Sequence, residues 1–196
     1  MSDARELIVA GRRVEAACWD GAADRAPLVL LHEGLGSIAL WRAFPAALAA
    51  ATGRRVLAFS RFGHGRSDPP PQLRTAAFFT DEAFDVLPEV LCQLDAERPI
   101  LVGHSDGASI ALIHASARPV TGVVLIAPHV FVEPITLAGI RTARAEYLNG
   151  NLRERMAPYH DNVDAAFFGW ADVWLHGTSS AGNSRRKSPA CAPRRS

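Results

Sequence analysis

A chain of 196 residues, 48% hydrophobic and 21% charged, has the size and balance of one globular domain with a substantial core. Its formal net charge of +1 gives no electrostatic case for nucleic acid or a membrane surface as partner, and no apolar run approaches the roughly 18 residues that a bilayer span needs. The cysteines Cys18, Cys92 and Cys191 are odd in number and scattered, which gives neither a disulfide framework nor a zinc site; with no signal-type apolar core at the N-terminus, they fit a cytoplasmic setting.

Residues 7–10 and 14–19, separated by 11–13, predict an antiparallel hairpin at a sheet edge. Four runs, 27–31 (PLVLL), 55–59 (RVLAF), 99–102 (PILV) and 122–127 (GVVLIA), are almost uniformly apolar, as strands buried on both faces of a parallel sheet are. Helical segments lie between them. Residues 37–52 set Leu40, Trp41, Phe44 and Leu48 on one side, between Ser37 and Gly53. Residues 80–97 place Phe84, Leu87, Leu91 and Leu94 at helical spacing, with Thr80 as N-cap and a kink at Pro88. Residues 105–117 continue from their strand with no linker. This alternation predicts an α/β class chain, a three-layer α/β/α sandwich on a mostly parallel sheet.

Beyond Pro134 no buried-strand run occurs. Helices are expected at 136–150, 151–157 and 162–175, with Phe167, Phe168, Trp170 and Trp174 as core or lid packing. From Gly177 onward periodicity vanishes, and Arg185, Arg186, Lys187, Arg194 and Arg195 meet no acid, which predicts a disordered basic tail. The expected organisation is a core over 1–134, a helical cap-like segment over 135–176 and the tail over 177–196.

Chemistry concentrates at Gly103-His104-Ser105-Asp106-Gly107, a G-x-S-x-G pattern. A strand runs straight into it and an Ala-rich helix straight out. Such a turn needs small neighbours because its central backbone is strained and strand and helix approach closely. It presents the Ser105 hydroxyl at the C-terminal end of the sheet, backed by a helix N-terminus that can stabilise negative charge. The loop His32-Glu33-Gly34-Leu35-Gly36-Ser37 follows the first buried strand and can aim a second N–H at the same place. It lacks both a Walker lysine and the third glycine of a dinucleotide loop; His32 is expected to be structural. In Ser60-Arg61-Phe62-Gly63-His64-Gly65-Arg66-Ser67-Asp68, Arg61, Arg66, Ser67 and Asp68 are expected to brace the site floor. His64, flanked by glycines in a turn, is a poor candidate base.

The order strand–HEGLGS, strand–SRFGHGRSD, strand–GHSDG resembles the α/β-hydrolase superfamily, nearest its small serine-esterase branch. The resemblance implies Ser105 as nucleophile, the backbone N–H groups of Asp106 and of Gly34 or its neighbour as oxyanion hole, and Gly103, His104 and Gly107 as the nucleophile elbow. The helices beyond 134 would cap the pocket. It implies hydrolysis of a small carboxylic ester or related acyl substrate through an acyl-enzyme, with no metal or organic cofactor. Thioesterase, acyltransferase and C–C bond hydrolase chemistry stay open, and oligomeric state is not indicated. Dehalogenase and epoxide hydrolase chemistry is disfavoured, because those relatives carry aspartate where Ser105 stands.

The chain also departs from the family pattern, in which an acid and then a histidine follow the serine on loops after late strands. His114 lies on the nucleophile helix, His129 ends the GVVLIAP segment, and His160 and His176 fall in the cap. None is expected to stand where a base loop requires. Glu133 occupies a place where some members carry the acid, while Asp161, Asp164 and Asp172 read as solvated cap charges. The triad acid and histidine are therefore expected to be missing with the last strands of the fold. The break in composition at 177 suggests a frameshift or truncation near residue 176. On that reading the polypeptide is an impaired remnant, or a binding module, of a hydrolase.

Overall fold

In the computed structural model the described residues are 2–72, 74–75 and 77–176; the expected tail lies outside them. Strands β1 (Ser2–Val9) and β2 (Arg12–Trp19) form the predicted hairpin. Its turn is tighter than expected, with only Ala10 and Gly11 between the strands, both at positive φ (47° and 71°). Two left-handed residues in a two-residue loop match the right-handed twist of a hairpin.

Strands β3 (Leu28–Leu31), β4 (Val56–Phe59), β5 (Ile100–His104) and β6 (Gly122–Ile126) complete a six-stranded sheet in the order β1-β2-β4-β3-β5-β6. β2 meets β4 antiparallel, and β4, β3, β5 and β6 run parallel. Burial explains the apolar runs. Val29, Leu31, Leu57, Phe59 and Leu101 enter one core, while Leu28, Leu30, Val56, Ala58 and Val102 enter another. Successive side chains point to opposite faces, so a strand covered on both faces must be apolar throughout.

Helix α1 (Phe44–Thr52) covers one face through Leu48 and Ala49. Helices α2 (Phe78–Asp81), α3 (Leu87–Gln93) and α4 (Asp106–Ala115) supply Phe78, Leu87, Val90, Leu91, Ile110 and Ala111 to the other. Three expectations need correction. The helix predicted over 37–52 is broken: a 3₁₀ turn (Ile38–Trp41) ends at Arg42, whose φ is 51°, and Phe44 is exposed, stacked on Trp41. Thr80 is no N-cap, because α2 already begins at Phe78; the kink expected at Pro88 is taken up by a π-turn (Glu82–Val86) just ahead of it. Proline offers no N–H to the residue four before it, and a widened turn accommodates that loss. Lastly, β6 is not buried on both faces. It is the edge strand of the described sheet, with Val123, Val124 and Ile126 each 39–47% exposed.

Helices α5 (Pro134–Asn149), α6 (Leu152–Met156) and α7 (Val163–His176) pack around their own core of Ile140, Tyr147, Met156, Phe167, Ala171 and Trp174. Tyr147 and Phe167 stack with ring centres 3.9 Å apart. Arg153 grips the Asp164 carboxylate through two nitrogens and Arg144 meets Asp172 at 2.7 Å, so these acids tie cap helices together. Among the described residues no helix is long and apolar enough to cross a membrane.

Candidate active site

The parallel strands share a register: Leu28 aligns with both Val56 and Ile100, and Ile100 with Gly122. Their C-terminal ends therefore finish at one edge of the sheet, and the loops that follow converge there. This is where open α/β sheets place their ligands.

Ser105 is the hinge between β5 and α4, with φ 51° and ψ −118°. Left-handed backbone at a non-glycine residue costs on the order of 1–3 kcal/mol and persists only where its surroundings enforce it. Here the Ser105 N–H donates to the Ile126 carbonyl at 2.9 Å, and its carbonyl accepts from Ala108 N at 2.9 Å. The flanking glycines are required by close approach. A Cβ at Gly103 would collide with Gly107 and Ala108, and one at Gly107 with the Leu31 carbonyl. Strand, elbow and helix thus touch backbone to backbone, which is what the G-x-S-x-G spacing allows.

One expectation about the histidines is overturned. His129 follows β6 by a short loop that turns at Ala127 (φ 49°), and this brings its Nε2 to 3.1 Å from the Ser105 Oγ. A group within this distance can take up the hydroxyl proton. Two neighbours hold His129, one by its backbone and one by its ring. The Ser109 hydroxyl donates to the His129 carbonyl at 2.8 Å and accepts from the His129 N–H at 2.9 Å. Trp174 meets the ring edge-on at 5.0 Å. Glu133, placed for an acid by sequence, is exposed at the head of α5.

Four other histidines, His32, His64, His114 and His160, are structural. His32 is buried; its Nδ1 donates to the Glu33 carbonyl at 2.7 Å and its Nε2 accepts from Arg61 N at 3.1 Å, as expected of a loop-building residue. Burial, reinforced by Arg61, holds it well below the usual imidazole range. His160 accepts from Gly65 N at 3.0 Å and donates to the Leu35 carbonyl at 3.1 Å, pinning the cap to two loops at once. His114 is buried and bonds the Ala83 carbonyl at 2.8 Å. His64 is buried between His32 and His160, and burial together with Arg74 keeps it uncharged.

The floor is built much as the sequence suggested. Arg61 is buried and donates to the carbonyls of His32 and Glu33. Ser67 donates to the Ser60 carbonyl at 2.6 Å, and Asp68 accepts from Arg13 N at 2.9 Å. Arg66 departs from the expectation: its side chain is exposed, and only its N–H joins the loop, donating to Glu15 at 3.0 Å. Two buried carboxyls, Glu82 and Asp106, face Arg61 and Arg74. Burial raises both acids and lowers Arg74 to about 10.

Above this floor lies a cavity of about 310 Å³. Ser105, Asp106 and His129 form one side and Glu33, Gly34 and Leu35 another; Thr136, Ile140, Trp170 and Trp174 close it from the cap. Gly34 lies directly under the Trp170 indole, where a Cβ would strike the ring. The segments that carry Gly34 and Asp106 thus reach the same space as the Ser105 side chain. His104 points elsewhere, its Nδ1 3.9 Å from the Glu33 carboxylate. Sequence reasoning passed over His129 because the signal for it, a histidine three residues past a strand end, is common; only the turn at Ala127 aims it.

Comparison with known proteins agrees with this architecture. The model of the alpha/beta hydrolase family matches residues 28–195. The chain is 34% identical over 101 residues to the sn-1-specific diacylglycerol lipase ABHD11 of Danio rerio, covering 52% of this chain and 30% of that protein. It is 32% identical over 117 residues to the human (Homo sapiens) 1-acylglycerol-3-phosphate O-acyltransferase ABHD5, covering 59% and 33%. The match thus spans about a third of the length of these curated relatives. Among solved structures, a carboxylesterase of the thaumarchaeon Nitrososphaera gargenis superposes with a TM-score of 0.68 at 21% identity, covering 88% of this chain and 72% of that one. At that identity the likeness is one of fold.

Proposed function

This chain belongs to the alpha/beta hydrolase family, and from that premise we propose that it is a serine hydrolase of small acyl esters, with Ser105 as nucleophile and His129 as its base. The observation that carries the reading is the 3.1 Å contact between the Ser105 hydroxyl and His129 Nε2 at a strained elbow. In the neutral imidazole with its proton on Nδ1, Nε2 accepts the hydroxyl proton as Ser105 Oγ attacks an ester carbonyl. The backbone N–H groups of Asp106 and Gly34 receive the oxyanion, the first aided by the N-terminus of α4. The imidazolium then protonates the departing alkoxide, leaving an acyl-serine. Water, deprotonated by the same Nε2, releases the acid.

A diacylglycerol lipase and an acyltransferase of acylglycerol phosphate among the relatives support acyl chemistry in general. The cavity of about 310 Å³, walled by Leu35, Ile140, Trp170 and Trp174, suits a short apolar acyl group. Incubation with p-nitrophenyl acetate followed by intact-mass analysis tests the reading. An acetyl adduct on Ser105 that is absent in Ser105→Ala is expected. Ester turnover that persists in Ser105→Ala would refute it.

A further inference from the structure

The cavity is lined by acids and indoles and by no lysine or arginine among the described residues. Glu33 sits in its wall with a side chain about 35% exposed, and its neighbouring imidazole, His104, is 3.9 Å off. Asp106 lines the same space; its side chain accepts a hydrogen bond from the Trp174 indole, and its buried Oδ2 finds no donor among the described residues. The nearby cations are committed elsewhere. Arg61 donates to the carbonyls of His32 and Glu33, and Arg74 to that of Phe62. Both also face Glu82 and Asp106, and Arg61 faces Glu33 as well.

The indoles line the same cavity as Glu33. Trp170 lies against Gly34, the residue next to Glu33, and Trp174 closes the cavity over His129. Aromatic faces attract a cation, and the attraction strengthens as water is excluded. An ammonium group in this cavity meets two indoles and a partly exposed carboxylate, while a carboxylate-bearing molecule meets the Glu33 carboxylate and no lysine or arginine among the described residues.

We propose that the cavity is charge-selective: it takes small esters carrying an alkylammonium group, with Glu33, Trp170 and Trp174 as the cation site, and rejects anionic ones. As a statement about substrates this rests on the serine hydrolase reading; as a statement about binding it does not. That allows the two to be tested separately.

The experiment is equilibrium binding to the Ser105→Ala chain, which cannot form the acyl-enzyme, followed by tryptophan fluorescence or calorimetry. The probes are acetylcholine, its uncharged carbon isostere 3,3-dimethylbutyl acetate, and the monoanion of ethyl hydrogen succinate. Acetylcholine is expected to bind on the order of tenfold tighter than the isostere, with the anion weakest. In a Glu33→Gln, Ser105→Ala protein with an unchanged circular dichroism spectrum, acetylcholine falls toward the isostere. Equal affinity for acetylcholine and the isostere, tighter binding of the anion, or no binding of acetylcholine would each overturn the proposal. Turnover by the wild-type chain then separates the claims: the binding order without Ser105-dependent hydrolysis defeats the hydrolase reading alone, and hydrolysis without the order defeats charge selection alone.

Discussion

Ser109 holds both backbone polar groups of His129: its hydroxyl donates to the His129 carbonyl at 2.8 Å and accepts from the His129 N–H at 2.9 Å. Ser109 stands one helical turn after Ser105, and its N–H bonds the Ser105 carbonyl at 3.1 Å. Ser105 and His129 are therefore fastened to the same helix, and the separation between Oγ and Nε2 is set by one short path of bonds. Ser109→Ala leaves two backbone groups without a partner, at roughly 1–3 kcal/mol for each that stays unsatisfied. We expect kcat on p-nitrophenyl acetate to fall at least tenfold with KM little changed, and Ser109→Thr, which keeps the hydroxyl, to recover part of the loss. Equal losses in both variants would show that Ser109 merely fills space.

Gly107 lies where α4 crosses the end of β3, and a methyl group there meets the Leu31 and His32 carbonyls. Backbone cannot move aside as a flexible side chain can. Gly107→Ala is expected to destabilise the chain by about 3 kcal/mol, lowering Tm by roughly 6–12 °C. A shift under about 2 °C in a thermal melt would mean that the approach of strand and helix is looser than the structure has it.

His32, His64 and His160 are kept uncharged chiefly by burial, each below the ordinary value of 6.5. Groups whose folded value lies below the unfolded one cost stability as pH falls. Above about pH 6.5 folded and unfolded chains are alike at these sites; below it the unfolded chain takes up protons that the folded chain refuses. Each histidine then removes ~1.4 kcal/mol per pH unit until its folded value is reached. Glu82 and Asp106, raised by burial, act in the opposite sense: they favour the folded state below their raised values and lose that contribution as pH rises through them. We expect the urea midpoint to fall between pH 7 and 5.5, and to fall less steeply in His64→Phe. A flat midpoint over that interval would contradict this assignment of charge.

Among the described residues strand β6 is an edge with apolar residues on both faces, Val123 and Val124 among them. Exposed apolar edges recruit further strands, and a lysine on the edge discourages them. Val124→Lys is expected to reduce concentration-dependent light scattering at neutral pH with little loss of Ser105 reactivity. Unchanged scattering would place association elsewhere on the molecule.

What could be read from residues alone was whatever local pattern determines. The strands β3, β4 and β5 announce themselves because burial on both faces leaves no room for polar residues, and the elbow at Ser105 because close approach demands Gly103 and Gly107. What could not be read depends on distant partners. The exposure of β6 follows from its position in the sheet, not from its composition, which is that of a buried strand. The break at Arg42 and the π-turn before Pro88 are local, yet propensity gave no sign of either. His129 is the instructive case: its place beside Ser105 depends on a positive φ at Ala127 and on the clamp from Ser109, twenty residues earlier, neither of which leaves a mark in the sequence around it.

The pairing of Ser105 with His129 is tested most directly by the rate of labelling with a fluorophosphonate at pH 7.5 in the wild-type chain, His129→Gln and Ser105→Ala. Such a probe reports the nucleophilicity of the serine and needs no matched substrate. If His129 is the base, the wild-type chain is labelled at Ser105 alone, His129→Gln labels slower by roughly 10²–10⁴-fold while keeping its fold, and Ser105→Ala is not labelled. Labelling of His129→Gln at the wild-type rate, or no labelling of a folded wild-type chain, would contradict the pairing.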